Sequence, residues 1–93
     1  MTLKELTENT STKYVDVRTE NEFKTGHVKG AMNIPLDQIQ YRFEEITGLG
    51  NIPVVFYCRS GNRSSRAVGY LRQMGIENIY NGGPLEDVQF YLN

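Results

Sequence analysis

The chain has 93 residues and a net charge of −1, with 10 Lys and Arg against 11 Asp and Glu. That length gives room for one domain, residues 1–93, with a real core, and the charge balance excludes the broad basic surface of a nucleic-acid or anionic-membrane binder. A single cysteine excludes an intramolecular disulfide, and with a single histidine, His27, it falls short of the usual structural zinc sets, so neither a metal nor a cofactor is expected.

Leu3 to Leu6 can begin a short helix. Lys13 to Val17, "KYVDV", reads as a strand because Tyr14, Val15 and Val17 are aromatic or β-branched. Thr19 and Glu22 fit a capping box, which predicts a short helix from Glu20 to about Lys24, stopped by Gly26. Ala31 to Ile34 is a short strand between Gly30 and Pro35. Leu36, Ile39, Phe43 and Ile46 recur at helical spacing, marking one buried face of a helix from Leu36 to about Thr47, ended by Gly48 and Gly50. Pro53 to Cys58, "PVVFYC", is almost continuously apolar, as a central parallel strand covered on both faces would be. The next helix sets Ala67, Val68, Leu71 and Met74 on one side and ends at Gly75. Asn78 to Tyr80 is a short strand, "NGG" a turn, and a last helix from Leu85 to about Tyr91 packs Val88 and Leu92 inward. Strands alternating with helices predict an α/β domain with a mostly parallel sheet.

No apolar run approaches the roughly 20 residues of a membrane span, and the N-terminal residues lack the apolar core of a secretory signal. The expectation is a soluble cytoplasmic protein in a reducing compartment, where the thiol stays free.

Cys58 ends the most buried strand, and the helix begins a few residues later, in "VVFYCRSGNRSSRAV" (Val54 to Val68). In a parallel sheet, ligands bind beyond the carboxyl ends of the strands. Loop N–H groups without helical partners and the positive end of the helix dipole favour an anion there, and favour thiolate over thiol. A thiol of this setting is commonly lowered from about 8.5 to roughly 3.5–7.5. Gly61 suits a loop of unusual backbone angles; Ser60, Asn62 and Ser64 can donate hydrogen bonds, and Arg59 and Arg63 can pair with an anionic substrate. A lone cysteine at a strand end is usually an inert small hydrophobe. A core cysteine has no use for an anion cradle, so the residues read as a nucleophilic or anion-binding thiol, with the reaction left open.

From Tyr14 to Leu92 the chain resembles the rhodanese-like domains, in their small single-domain bacterial form. Tyr14 to Leu36, "YVDVRTENEFKTGHVKGAMNIPL", looks like the family's first signature; Val54 to Val68 looks like its active-site strand, loop and helix; Tyr80 to Gly83, "YNGG", looks like a later turn. The resemblance implies a central sheet of four or five short, mostly parallel strands flanked by helices on both faces. It implies a sulfurtransferase in which Cys58 takes a sulfane sulfur from a donor such as thiosulfate, holds it as a persulfide, and passes it to a thiol or cyanide. Arg59, Ser60, Gly61, Asn62, Arg63 and Ser64 would form the substrate cradle, with Arg63 closing it near the helix start. Sulfurtransferases of the family have a six-residue loop and the related phosphatases a seven-residue one; here Cys58 and Arg63 enclose four residues, the six-residue form. The implied role of Asp16, Arg18, Glu22 and His27 is structural, with Arg18 pairing with Glu22 and His27 satisfying backbone groups in its turn. Only about a dozen residues precede the Asp-Val-Arg strand, so the family's first strand is expected to be reduced or absent.

Three other readings compete. One is a persulfide carrier that docks on a protein donor or acceptor. Another is a non-catalytic binding module, against which the intact Cys58 argues. The third is an arsenate reductase or phosphatase, disfavoured by the loop length.

Overall fold

The computed structural model describes residues 1–93. Its four strands, β1 (Lys13–Asp16), β2 (Met32–Asn33), β3 (Val54–Cys58) and β4 (Ile79–Pro84), are all parallel, in the spatial order β2-β1-β3-β4. All five residues of β3 are buried, as its unbroken apolar run requires for a strand covered on both faces. Side chains alternate along it: Val54, Phe56 and Cys58 enter one core with Val15, Ile39, Ala67 and Leu71, while Val55 and Tyr57 enter a second with Leu6, Val28 and Val88. Cys58 therefore faces the layer that also holds the helix following it.

Helices cover both faces. The first, α1 (Leu3–Glu8), is capped by Thr2, whose hydroxyl accepts from the Glu5 N–H while the Glu5 carboxylate accepts from the Thr2 N–H. It packs against α6 (Leu85–Leu92), under the second core. No strand precedes β1. The second helix, α2 (Glu20–Lys24), carries the Thr19–Glu22 capping box read from the sequence.

The continuous helix expected from Leu36 to Thr47 is instead a 3-10 turn (Leu36–Gln38) followed by α3 (Ile39–Arg42) and α4 (Glu44–Thr47). Tighter i→i−3 hydrogen bonds interrupt the α ladder at both ends of α3: Gln38 N–H donates to Pro35, Ile39 N–H to Leu36, and Ile46 N–H to Phe43. The buried face survives, since Leu36, Ile39, Phe43 and Ile46 all pack on the same core. The long helix is α5 (Asn62–Gln73), and Gly75, at φ +85°, ends it in the left-handed conformation.

"NGG" is not a turn. Asn81 to Gly83 lie inside β4, whose register against β3 shifts between Phe56↔Asn81 and Tyr57↔Gly83, leaving Gly82 as an extra, bulged residue. A Cβ on Gly82 would lie 2.6 Å from Val55 Cγ1, so this backbone approaches the sheet more closely than any side chain allows. Met74 and Leu92, expected inside, are 41% and 40% exposed, because each falls at the end of its helix, beyond the sheet it packs on. No helix is long and apolar enough to cross a membrane.

Candidate active site

The sulfur of Cys58 sits at the carboxyl edge of β3, with no accessible surface, under the loop Arg59 to Gly61. Gly61 is the N-cap of α5 and has φ +96°, which glycine alone adopts cheaply; a Cβ there would also meet Gly83 Cα at 3.3 Å. This backbone reversal turns the Gly61 N–H onto Cys58 Sγ at 3.0 Å. The Ser64 hydroxyl, wholly buried on the first turn of α5, lies 3.5 Å from the same sulfur. Burial raises the thiol pKa, but the hydrogen bonds of the Ser64 hydroxyl and of the Ser64, Gly61 and Ser60 backbone outweigh it, and the net shift is downward.

Ser64 has one proton and three neighbours. Its oxygen is 2.7 Å from Asn81 Oδ1, 3.1 Å from the Gly61 carbonyl and 3.5 Å from Cys58 Sγ. Asn81 Oδ1 also accepts from the Gly83 N–H at 2.9 Å, and its Nδ2 donates to the Gly61 carbonyl at 3.3 Å. Asn81 thus ties the β4 bulge to the loop that holds the sulfur. Sequence reasoning missed it by placing it in a turn; "NGG" was visible, but its function depends on a bulge that pairing with β3 creates.

Arg63 does not close over the loop. Its guanidinium forms a bidentate pair with Glu22 on α2, Nη1 to Oε1 at 2.6 Å and Nη2 to Oε2 at 3.0 Å. The Arg63 partner first, and then the Thr19 N–H, lower the Glu22 carboxyl to about 2. The expected Arg18–Glu22 pair is absent. Arg18 turns inward to Asp16, 2.7 Å from Nη2 to Oδ2, and to the Gly26 carbonyl, because both Arg18 and Asp16 are buried and each is the other's nearest compensating charge. Asn33, also missed, donates from Nδ2 to the Asp16 and Arg18 carbonyls at 3.0 Å and pins the end of β1. His27 takes the structural place expected of it, with Nδ1 2.8 Å from the Phe23 carbonyl and its ring stacked on Phe23.

Of the other loop residues, Arg59, Ser60 and Asn62 are exposed. Ser60 Oγ accepts from the Asn62 N–H at 3.4 Å, and Arg59 has no ion pair. The structure thus gathers Cys58, Gly61, Ser64 and the loop N–H groups about one sulfur, diverts Arg63 to Glu22, and leaves Arg59 in solvent.

The fold is a parallel α/β sheet with a hydrogen-bonded thiol at a strand's carboxyl end, under a six-residue loop. The family model of the rhodanese-like domain matches residues 2–83, and the chain belongs to that family. It is 48% identical over 67 residues to YqhL, an uncharacterized protein of Bacillus subtilis, a match covering 72% of this chain and 52% of that one; the chain thus spans about half that relative's length. It is 35% identical over 75 residues to the thiosulfate sulfurtransferase PspE of Escherichia coli, covering 81% of this chain and 72% of the other. Among solved structures, a rhodanese with anions from E. coli superimposes with a TM-score of 0.75 at 34% identity, covering 82% of this chain and 89% of that one.

Proposed function

We propose that the protein is a sulfurtransferase that accepts a sulfane sulfur on Cys58 from a small anionic donor such as thiosulfate and passes it to a thiol or cyanide. The observation that carries this reading is the Gly61 N–H aimed at Cys58 Sγ from 3.0 Å, in a loop of the six-residue form that the resemblance associates with sulfurtransferases. The 35%-identical thiosulfate sulfurtransferase of E. coli supports the choice of donor.

In the first half-reaction the Cys58 thiolate attacks the outer sulfur of thiosulfate. A bond forms between Sγ and that sulfur, the bond to the sulfonate sulfur breaks, and its electron pair leaves with sulfite. The loop N–H groups would stabilise the negative charge of this exchange, and Arg59, exposed at the loop surface, is the free cation beside it. In the second, cyanide or a thiolate attacks the outer sulfur of the persulfide, and the pair of the broken bond returns to Cys58. No net redox partner is required.

A persulfide carrier that hands its sulfur to a partner protein is the second reading, favoured by the exposure of Arg59, Ser60 and Asn62 around a buried sulfur. The intact mass before and after thiosulfate tests the main reading. The expected result is a gain of about 32 Da, the mass of one sulfur atom, removed by cyanide and absent in Cys58→Ser. No gain from thiosulfate, with a gain from a persulfide-loaded protein, would shift the assignment to the carrier.

A further inference from the structure

The half-reactions above use neither Ser64 nor Asn81, yet these two form a hydrogen-bond chain that ends on the reacting sulfur. Backbone groups fix the orientation of the Asn81 amide. The Gly83 N–H donates to it at 2.9 Å, so the atom there is the oxygen, and Nδ2 points to the Gly61 carbonyl. Ser64 Oγ lies 2.7 Å from that oxygen. Two oxygens so close need a proton between them, and an amide oxygen brings none. The Ser64 proton therefore lies on the Asn81 side.

The rival acceptors have weaker claims on it. The Gly61 carbonyl, 3.1 Å from Ser64 Oγ, already accepts from the Ser65 N–H at 3.0 Å and from Asn81 Nδ2 at 3.3 Å, which fills its two lone pairs. Cys58 Sγ, at 3.5 Å, is the most distant of the three. With its proton on Asn81, Ser64 Oγ turns a lone pair to the sulfur. That suits a buried thiol, whose own proton then finds an acceptor, and it opposes a thiolate. Ser64 meets a charge on Sγ only when its hydroxyl rotates away from Asn81.

We infer that Asn81 is a positioning residue that makes Ser64 a switched donor, holding the hydroxyl proton while Cys58 Sγ is neutral and yielding it when charge develops there. Its use in turnover rests on the sulfur-transfer reading. In the thiol and in the persulfide Sγ is neutral, and the proton stays with Asn81. As an acceptor strips the outer sulfur, the electron pair of the broken bond returns to Sγ and the hydroxyl turns to meet it. Rotation about the Cβ–Oγ bond is the whole movement, and no proton changes atoms. Each thiolate thus forms at the cost of one short hydrogen bond.

The charged groups around the sulfur are few. Arg59 is exposed on the loop, Arg63 is paired with Glu22 on α2, and Asp16 and Arg18 pair with each other at the end of β1. On α6, Asp87 Oδ2 stands 3.9 Å from the position of a Cβ on Gly83. All of them are kept in the variants that test the proposal, and Asn81 itself is exposed, so its replacement leaves the core closed.

The pH profile of iodoacetamide alkylation is measured for wild type, Asn81→Leu, Ser64→Ala and the double variant. Leucine fills the place of the amide and offers no acceptor. The midpoint in Asn81→Leu is expected to fall by about 0.7 pH unit, about fivefold in the thiolate-to-thiol ratio, the scale of one neutral hydrogen bond. In the Ser64→Ala background the same substitution is expected to shift nothing, because its effect passes through the hydroxyl. Should the leucine variant not fold, Asn81→Val is read in the same way. An unmoved or raised midpoint in the single variant overturns the proposal. So does an equal fall with and without Ser64, which would mean that Asn81 acts on the loop alone. Cyanide-removable sulfur from thiosulfate is scored separately on the same proteins; its absence from wild type, with the coupled shift intact, counts against the sulfur-transfer reading and not against the control of Ser64 by Asn81.

Discussion

Replacing Glu22 by glutamine removes one charge from the pair that joins α2 to the start of α5, while an amide oxygen remains to accept from Thr19 and Arg63. The wild-type carboxyl is held at about 2, against an ordinary 4.5. At about 1.4 kcal/mol per tenfold change in proton affinity, that depression sets a ceiling of about 3 kcal/mol on its contribution to stability. The pair is 32% and 29% exposed, so solvent and salt screen it, and about 1 kcal/mol is the expected magnitude. The sign follows from the direction. A carboxylate whose pKa is lowered on folding stabilises the protein fully above its unfolded pKa, and loses that contribution as pH falls through the folded one. Urea unfolding of wild type and Glu22→Gln from about pH 7 to pH 2 measures it. The curves should differ by about 1 kcal/mol at neutral pH and converge as pH falls from 5 toward 2, since protonated Glu22 and glutamine are alike in charge. Parallel curves across that range would refute the reasoning, and so would a variant as stable as wild type at neutral pH.

Ser64→Ala removes the hydroxyl 3.5 Å from Cys58 Sγ, so the thiol pKa should rise; the pH profile of iodoacetamide alkylation should move to higher pH, and an unmoved profile would show that the hydroxyl serves Asn81 alone. Gly82→Ala puts a methyl 2.6 Å from Val55 Cγ1 and 3.0 Å from Val88 Cγ2, and should cost about 1–3 kcal/mol in urea unfolding. Gly69→Ala, in mid-helix with nothing within 4 Å, should instead add about 0.5–1 kcal/mol; equal effects at the two glycines would contradict the bulge as drawn. Arg18→Met leaves Asp16 buried without its cation and should cost about 3 kcal/mol, and a loss near zero would mean that the backbone N–H of residue 18 suffices for the carboxylate.

What was legible in the sequence was local. The capping box at Thr19 and Glu22 needs only its own four residues, and the strand at Val54 to Cys58 announces itself by apolar content. The buried face of Leu36, Ile39, Phe43 and Ile46 was visible as a period, although the period does not reveal that 3-10 bonds at Leu36 and Phe43 cut the helix into pieces. What was not legible was the choice of partner across distance. Glu22 has Arg18 four residues away in sequence and Arg63 forty-one away, and it takes the second, because Arg18 is drawn under the sheet edge by buried Asp16. Asn81 reaches Ser64 only because Gly82 is squeezed out of register, a consequence of how β4 meets β3. The cradle was read as a set of residue types, but the arginine meant to close it pairs in the structure with Glu22 on another helix.

That diversion bears on how the proposed reaction balances charge. With Arg63 neutralised by Glu22, the groups left for an incoming dianion are the loop N–H groups and exposed Arg59. Cys58 Sγ is wholly buried, so the attacked sulfur must enter the loop while the rest of the donor stays outside. A terminal sulfur on a small anion meets that requirement. Once transferred, the outer sulfur stands about 2 Å beyond Sγ, the length of an S–S bond, and lies nearer the mouth of the loop than the cysteine itself. The acceptor then has no need to reach Cys58. A buried nucleophile that presents its cargo one bond further out can exclude bulky electrophiles from the thiol and still deliver sulfur to a large acceptor. A bulky maleimide should therefore alkylate the protein far more slowly than iodoacetamide does, while a thiol acceptor should still strip the persulfide; equal alkylation by both reagents would show that the loop opens freely.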